Sequence, residues 1–154
     1  MPRTILREQI VTAPLDAVFA FYADASNLER LTPPWLRFEI VTHPPIEMRP
    51  GARIDYRIRL RGFPMRWQSE ITRWDPPHAF RDEQRRGPYR SWIHDHEFVS
   101  HPAGTLVRDR IRYSVAGGAL VDRLFVRKDV ARIFDYRVER LAEIFGQVPG
   151  VRAV

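Results

Sequence analysis

A period of two in the order of polar and apolar residues runs through the middle of the chain for roughly sixty residues from residue 52. Such alternation is typical of half-buried β-strands, whose side chains point to opposite faces in turn. It predicts five strands, at residues 52–61, 65–75, 79–86, 90–100 and 105–115. The connections are short and contain proline or glycine, so neighbouring strands are expected to be antiparallel.

Other patterns precede this region. Residues 3–11 alternate well enough for a first strand, and Pro14 is suited to open a helix over residues 15–22. A second short helix is predicted over residues 24–31. Residues 36–42, which follow a proline pair, are predicted as a further strand.

A long helix is predicted near the end of the chain, over residues 119–145. The apolar residues on its common face are Val130, Phe134, Val138, Leu141 and Phe145. A helix must bury such a stripe, and an alternating sheet offers one apolar face. The predicted fold class is therefore α+β, a helix-grip domain: a curved antiparallel β-sheet wrapped around a long C-terminal α-helix, with two short helices after the first strand. We expect a single domain over residues 1–154, with a hollow between sheet and helix.

The alternation also sorts the two faces of the sheet. The outer face is expected to carry arginines interleaved with acids: Arg53, Arg57, Arg59, Arg61, Arg81, Arg85, Arg108, Arg110 and Arg112. The inner face is expected to be aromatic and aliphatic, but it also carries polar residues: Asp82, Gln84, His94, His96, Asp109 and Tyr113. An unpaired buried polar group costs on the order of 1–3 kcal/mol, so each of these residues needs a partner.

Loop lengths indicate which partners these are. A three-residue loop at residues 87–89 would place Asp82 opposite His94, and a four-residue loop at residues 101–104 would place His96 opposite Asp109. Two Asp–His pairs are therefore predicted side by side on the concave wall. Arg137 lies on the apolar stripe of the long helix, where it either snorkels to the rim or meets a carboxylate such as Asp82, Asp109 or a ligand acid.

The amino-acid composition excludes several classes of protein and of chemical site. The chain has 154 residues, 44% hydrophobic and 29% charged, as in globular proteins, and it contains no cysteine. The lack of cysteine excludes disulfides, a thiol nucleophile and thiolate-bound zinc or iron–sulfur sites. No stretch approaches the ~18 apolar residues of a membrane span, and the N-terminus lacks a signal-peptide pattern. We therefore expect a cytoplasmic protein without a membrane span.

The basic residues have two interpretations. The formal net charge is +6, and Lys128 is the sole lysine among 25 basic residues. Arginine suits planar anion recognition, so RNA, the ribosome or anionic lipid headgroups are conceivable partners of the outer face. The interleaved acids instead favour a solvated surface of ion pairs, and we expect no nucleic-acid partner. The sequence leaves the oligomeric state unknown.

A motif connects these residues: Phe80-x-Asp82-x-Gln84-x-x-Gly87-Pro88-Tyr89-x-x-Trp92-x-His94-x-His96-x-Phe98, then Gly104-Thr105-x-Val107-x-Asp109-x-Ile111-x-Tyr113 and Ile133-Phe134-x-Tyr136-Arg137. Across nearly the whole chain this pattern resembles the START-like SRPBCC superfamily, close to bacterial proteins of its polyketide cyclase/dehydrase and coenzyme Q-binding branch. The resemblance implies an apolar cavity for a small molecule. That scaffold serves lipid carriers, hormone receptors, aromatase/cyclases and oxygenase subunits alike.

Three functions stay open on the sequence alone. The leading hypothesis is the binding of a hydrophobic small molecule, such as a lipid, an isoprenoid or an aromatic polyketide-like compound, between sheet and helix. The alternative is a cyclase or dehydratase-type enzyme, and the third is RNA or ribosome interaction through the basic surface. The catalytic candidates are His94, His96, Asp82 and Asp109. The predicted ligand-binding residues are Trp67, Phe80, Asp82, Gln84, Trp92, His94, His96, Phe98, Asp109, Tyr113, Phe134 and Arg137.

Two further expectations concern the surroundings of the hollow. We expect no cofactor and no metal, because a His-x-His pair alone is weak support for a metal site. Trp35 follows two prolines just beyond the short helices, and we expect it at the rim, where a loop can gate entry.

Overall fold

Seven strands form one curved antiparallel sheet in the computed structural model, which describes residues 1–149. The strands are β1 (Arg3–Val11), β2 (Glu39–Ile40), β3 (Arg53–Leu60), β4 (Phe63–Asp75), β5 (Ala79–Arg86), β6 (Ser91–His101) and β7 (Gly104–Ser114). Their order in the sheet is β1-β7-β6-β5-β4-β3-β2. The five strands predicted from the alternation and the first strand are all confirmed, with ends that differ by one or two residues.

The helices are α1 (Leu15–Ala23), α2 (Leu28–Leu31), α3 (Gly118–Val121) and α4 (Arg127–Phe145). A 3₁₀ turn at Ala25–Asn27 precedes α2, and the Asp24 side chain accepts a hydrogen bond from the backbone of Ser26 at its start. A π-helical segment, Asp122–Val126, joins α3 to α4, so the chain is helical without a break over residues 118–145. The predicted helix-grip architecture with one long C-terminal helix is confirmed.

The predicted register of the central strands is also confirmed. Asp82 on β5 faces His94 on β6, and His96 on β6 faces Asp109 on β7. Because alternate residues share a face, this register brings all four side chains to the concave side of the sheet. The sequence was sufficient here because the connecting loops are short and one face of the sheet is strongly apolar.

The predicted strand over residues 36–42 is wrong for most of its length. Pro34–Leu36 forms a 3₁₀ turn, and Arg37 after it adopts a left-handed conformation with φ of 46°. Only Glu39–Ile40 pairs with β3. A positive φ at Arg37 is incompatible with extended strand geometry, so pairing with β3 begins only after it, at Glu39.

Two apolar clusters fill the space between the sheet and α4. One lies around Phe19, Phe98 and Leu141, and the other around Trp67 and Phe134. On β1 the buried Gln9 side chain donates a hydrogen bond to the Val138 carbonyl of α4, which ties the edge strand to the helix. Within the described part of the chain, the helices are too short or too polar to cross a membrane.

Candidate functional site

A cavity of about 150 Å³ lies between the concave face of the sheet and α4. Its walls are mostly apolar, and they come from α1, α2, the turn at Pro34–Leu36, the central strands and α4. Cavities that hold drug-sized ligands measure roughly 300–1,000 Å³. An apolar cavity of about 150 Å³ in another protein holds a single benzene ring. The cavity is therefore smaller than those that hold drug-sized ligands.

Eight of the predicted ligand-binding residues line this cavity. The apolar ones come from four elements: Trp67, Phe80, Trp92 and Phe134. The polar ones are Asp82, His94, His96 and Arg137. These polar residues lie together on one wall of a mostly apolar lining, to which Asp24, Asn27 and Thr32 also contribute polar side chains.

Four predicted residues lie away from the cavity surface. Gln84 bonds to the backbone N–H and C=O of Tyr89 and so holds the β5–β6 loop. The Tyr113 hydroxyl donates to Asp122 at 2.7 Å, and Phe98 belongs to the packed core. Asp109 is buried behind the two histidines. The alternation along a strand predicts which face of the sheet a side chain lies on. It does not predict whether that side chain borders a cavity or packs against a neighbouring side chain.

The two imidazoles stack on each other between two carboxylates. The ring centroids of His94 and His96 are 3.7 Å apart. His96 Nε2 lies 2.6 Å from Asp82 Oδ2, and His94 Nε2 lies 2.8 Å from Asp109 Oδ1. The remaining ring nitrogens are farther from the carboxylates, with His94 Nδ1 at 3.7 Å from Asp82 and His96 Nδ1 at 3.4 Å from Asp109. The short hydrogen bonds therefore run diagonally across the ladder, whereas the sequence predicted partners directly opposite.

Aromatic rings hold this stack in place. Phe80 lies parallel to His96 with a centroid distance of 3.9 Å, and Phe134 meets His94 edge-on at 5.2 Å. Both phenylalanines are buried. The imidazoles thus have little freedom to rotate, and their orientation is set before any ligand enters.

Arg137 is the buried cation of the site. It lies on α4, and its Nε is 3.6 Å from Asp109 Oδ2. Of the two outcomes predicted for this side chain, the one observed is the pairing with a carboxylate. Its guanidinium carbon also lies 5.4 Å from the centroid of the Tyr22 ring. A buried charge of this kind is tolerated only because it is paired.

Burial and neighbouring charges act differently on the two carboxyl groups. Burial raises the pKa of Asp82 above its usual range. Burial acts in the same sense on Asp109, but the facing Arg137 and the hydrogen bond from His94 outweigh it and hold the pKa of Asp109 well below its usual range. Burial lowers the pKa of His96. The facing cation therefore favours the charged form of Asp109, whereas burial disfavours the charged forms of Asp82 and His96.

Several residues that shape the cavity were missing from the sequence prediction. Tyr22 on α1 meets His96 edge-on at 5.9 Å. The Tyr56 hydroxyl and the Trp67 indole N–H both bond to the Ser69 hydroxyl, each at 3.1 Å. The alternation along β3 and β4 puts Tyr56 and Ser69 on the same face as the buried Ile54 and Trp67, so the sequence carries a signal for these two residues. For Tyr22 there was no such signal, since its position depends on how α1 packs onto the sheet.

Among the described residues, Asp82, His94 and His96 form a group whose ligand atoms all lie within 4.8 Å of one another. All three are among the residues that line the cavity. This is a set of donors that a metal ion could use.

A second hollow, with a larger volume of about 700 Å³, lies beside the N-terminus. It is lined by the first residues of the chain, the end of β7 and the start of α3. The Arg3–Asp122 ion pair lies on its wall. Because the buried cluster of titratable side chains lies at the smaller cavity, we regard the smaller cavity as the functional candidate.

The outer face of the sheet carries cross-strand ion pairs. Arg108 contacts Glu8 and Glu97, and Arg81 and Arg112 both contact Asp95. Arg53 and Arg85 share Glu70. Much of the basic charge is therefore balanced within the sheet, as expected for a solvated face.

Trp35 lies on the turn Pro34–Leu36, next to the cavity-lining residue Leu36. It is 41% exposed, packs edge-on against Tyr136 of α4 at 5.6 Å and carries the Arg132 guanidinium over its ring at 4.1 Å. The predicted rim position of Trp35 agrees with this exposure.

The fold is shared with several solved structures. The chain is similar to protein CV1439 from Chromobacterium violaceum, with 14% identity, a TM-score of 0.74 and coverage of 96% of this chain and 100% of that one. It is also similar to protein Ms6760 from Mycobacterium smegmatis, with 23% identity, a TM-score of 0.66 and coverage of 92% of this chain and 89% of that one. A third similar structure is the ginseng major latex-like protein 151 from Panax ginseng, with 11% identity, a TM-score of 0.66 and coverage of 97% of this chain and 99% of that one. At these identities the likeness shows the fold alone, and no curated protein matches the chain.

The family profile described as polyketide cyclase / dehydrase and lipid transport matches residues 11–149. This range contains the cavity-lining strands and helices described above. The resemblance inferred from the sequence motif is thereby confirmed. The chain belongs to the polyketide cyclase/dehydrase and lipid transport family, within the SRPBCC superfamily.

Proposed function

We propose that the protein is a single-domain binder of a compact hydrophobic molecule, held in the cavity between sheet and α4. The observation that carries this proposal is the lining of the cavity, which is mostly apolar and aromatic and has its buried titratable groups on one wall. Ligand sites of this kind gain affinity from apolar burial and orientation from a few polar groups. The ligand's rings would lie against Trp67, Trp92 and Phe134, and its polar end would face Asp82, His94 and His96.

The size of the cavity favours an aromatic ligand over a long isoprenoid or acyl chain. A volume of about 150 Å³ is closer to the size of one or two fused rings than to that of a long chain. A long chain would need the rim to open near Trp35, which packs on Tyr136. Among the ligand classes predicted from the sequence, we therefore favour the aromatic polyketide-like compounds.

The test uses thermal unfolding with probes of graded size: benzene, 2-naphthol and farnesol. Ligand that binds the folded state stabilises it by about 2.7 kcal/mol at a hundredfold excess over Kd. For a chain of this length that corresponds to a rise in Tm of roughly 5–10 °C. We expect 2-naphthol to raise the Tm and farnesol to have little effect.

A matched pair of variants locates the binding. Ile58→Phe adds volume inside the cavity, since Ile58 is buried and lines it, whereas Val99→Phe adds the same ring type on the exposed outer face. We expect Ile58→Phe to abolish the 2-naphthol effect and Val99→Phe to retain it. A wild-type protein that responds to none of the three probes would refute the proposal, and so would equal responses of the two variants.

A cyclase or dehydratase-type activity is the second candidate function. It is favoured by the two imidazoles, each bonded to a carboxyl group, beside the cavity. Substitution of His96 by Gln separates the two candidates once a substrate is known. A binder is expected to lose affinity modestly, whereas an enzyme is expected to lose most of its turnover and still bind.

A further inference from the structure

The polar wall of the cavity has the composition of an open metal site. Two histidines and one carboxylate are the protein ligands of many catalytic zinc sites and of the facial triad in non-haem iron proteins. Here His94 and His96 lie two residues apart on β6, and Asp82 on the neighbouring strand faces His94. The register of the sheet therefore delivers three suitable donors to one face.

The spacing of the donor atoms is close to what a metal requires. Bonds of about 2.0–2.1 Å around a tetrahedral zinc ion imply donors roughly 3.3 Å apart. Asp82 Oδ2 lies 2.6 Å from His96 Nε2 and 3.7 Å from His94 Nδ1, values on either side of that separation. The ligand atoms of the whole group lie within 4.8 Å of one another. Both separations from Asp82 Oδ2 therefore lie within about 1 Å of the tetrahedral value.

Asp109 provides the support that such a site needs behind its ligands. A histidine bound to a metal usually gives its other ring N–H to a carboxylate, which orients the ring and raises its basicity. His94 Nε2 lies 2.8 Å from Asp109 Oδ1, and this leaves His94 Nδ1 for the metal. Asp109 is in turn held by Arg137. This carboxylate–histidine arrangement is present without any rearrangement.

The surroundings also leave room for a ligand on the metal. All three donors line the cavity, so a bound ion would be reached from it. The Asp109–Arg137 pair is neutral, and an ionised Asp82 contributes one negative charge. A divalent ion would therefore leave one net positive charge, which an anionic oxygen such as a carboxylate, phenolate or enolate would neutralise.

We propose that Asp82, His94 and His96 bind a divalent first-row transition metal at the cavity wall, with an open coordination position toward the cavity. The sequence alone predicted no metal, because a His-x-His pair is common in proteins without one. Three features of the structure change this expectation. They are the group of three donors, the carboxylate that supports it and its access from the cavity. The metal site does not require the ligand proposed above, and each can be tested without the other.

The experiment is a calorimetric titration of Zn²⁺ into the full chain after treatment with a chelator. The chain has five histidines. Three of them, His43, His78 and His101, are exposed and lie outside the cavity. A variant with all three changed to Gln is therefore the matched control for adventitious binding. We expect one Zn²⁺ per chain in the wild type and in this control.

Variants of the proposed ligands complete the test. Asp82→Asn keeps the shape of the side chain and His96→Gln removes the imidazole, and each should weaken Zn²⁺ binding by more than the roughly 10–100-fold expected for loss of a supporting residue. Asp109→Asn should weaken it by roughly 10–100-fold, as expected of a supporting residue. A wild type that binds no Zn²⁺, or binding that disappears in the exposed-histidine control and persists in Asp82→Asn, would overturn the proposal.

The wild type alone gives a second reading in case a variant does not fold. Co²⁺ replaces Zn²⁺ in such sites, and its absorption spectrum together with X-ray absorption reports the number of imidazole ligands. Two imidazoles per Co²⁺ are expected in the wild type and in the exposed-histidine control. Fewer than two in the control would overturn the proposal, whatever the behaviour of 2-naphthol.

Discussion

Replacement of Arg137 by Met should destabilise the protein strongly, because it leaves a buried carboxylate without its cation. Arg137 is 7% exposed and Asp109 3% exposed, so water cannot take over the role of the guanidinium. Breaking a buried ion pair by removing one partner typically costs about 3–5 kcal/mol. Because His94 still bonds to Asp109, we expect the lower end, about 3 kcal/mol. For a chain of this size that corresponds to a fall in Tm of roughly 6–12 °C.

Urea unfolding followed by circular dichroism measures this loss. Arg132→Met on the same helix is the control, since Arg132 lies over the exposed Trp35 and its contact is worth about 0.5–1 kcal/mol. Adding Asp109→Asn to Arg137→Met removes the uncompensated charge and should recover at least about 1 kcal/mol. If Arg137→Met costs no more than Arg132→Met, or if the double variant is less stable than the single one, the reasoning about the buried pair is wrong.

Three further predictions concern the cavity and its frame. Phe134→Ala should lower the free energy of unfolding by about 3–5 kcal/mol and enlarge the cavity. Anthracene should then bind more tightly to the variant than to the wild type, and equal affinities would contradict the placement of Phe134 in the cavity wall. Gln84→Ala removes two hydrogen bonds to the Tyr89 backbone and should lower the free energy of unfolding by about 1–2 kcal/mol. The affinity for 2-naphthol should change less than about threefold, and a larger loss of affinity would show that Gln84 contributes to the ligand site. Tyr56→Phe should lower the free energy of unfolding, measured with urea, by about 1 kcal/mol, because the Trp67 indole still bonds to Ser69. An unchanged stability would argue against the Tyr56–Ser69 hydrogen bond.

The fold and the position of the polar wall could be derived from the sequence because they depend on local rules. Alternation assigns each strand residue to a face, and short loops fix which residues lie opposite one another. These rules alone place Asp82 opposite His94 and His96 opposite Asp109, as the structure has them. The apolar stripe on the last helix likewise placed Arg137 toward the sheet.

Other features depend on packing that the sequence does not encode locally. The diagonal pairing of the histidines follows from the stacking of their rings at 3.7 Å, which side-chain rotamers decide. The contribution of Tyr22 depends on how α1 docks on the sheet. The failed strand prediction at residues 36–42 has its cause in the left-handed conformation of Arg37, a residue type that rarely adopts it.

The most direct test of the central claim is to locate 2-naphthol on the protein by intermolecular nuclear Overhauser effects to labelled methyl groups. The account predicts contacts from the naphthyl protons to the methyl groups of Ile54, Ile58 and Ile133, which line the cavity. Contacts confined to Leu120 and Leu124, which are exposed at the start of the long helical run, would contradict it. In that case the small molecule would occupy the surface, and the cavity would be part of the core.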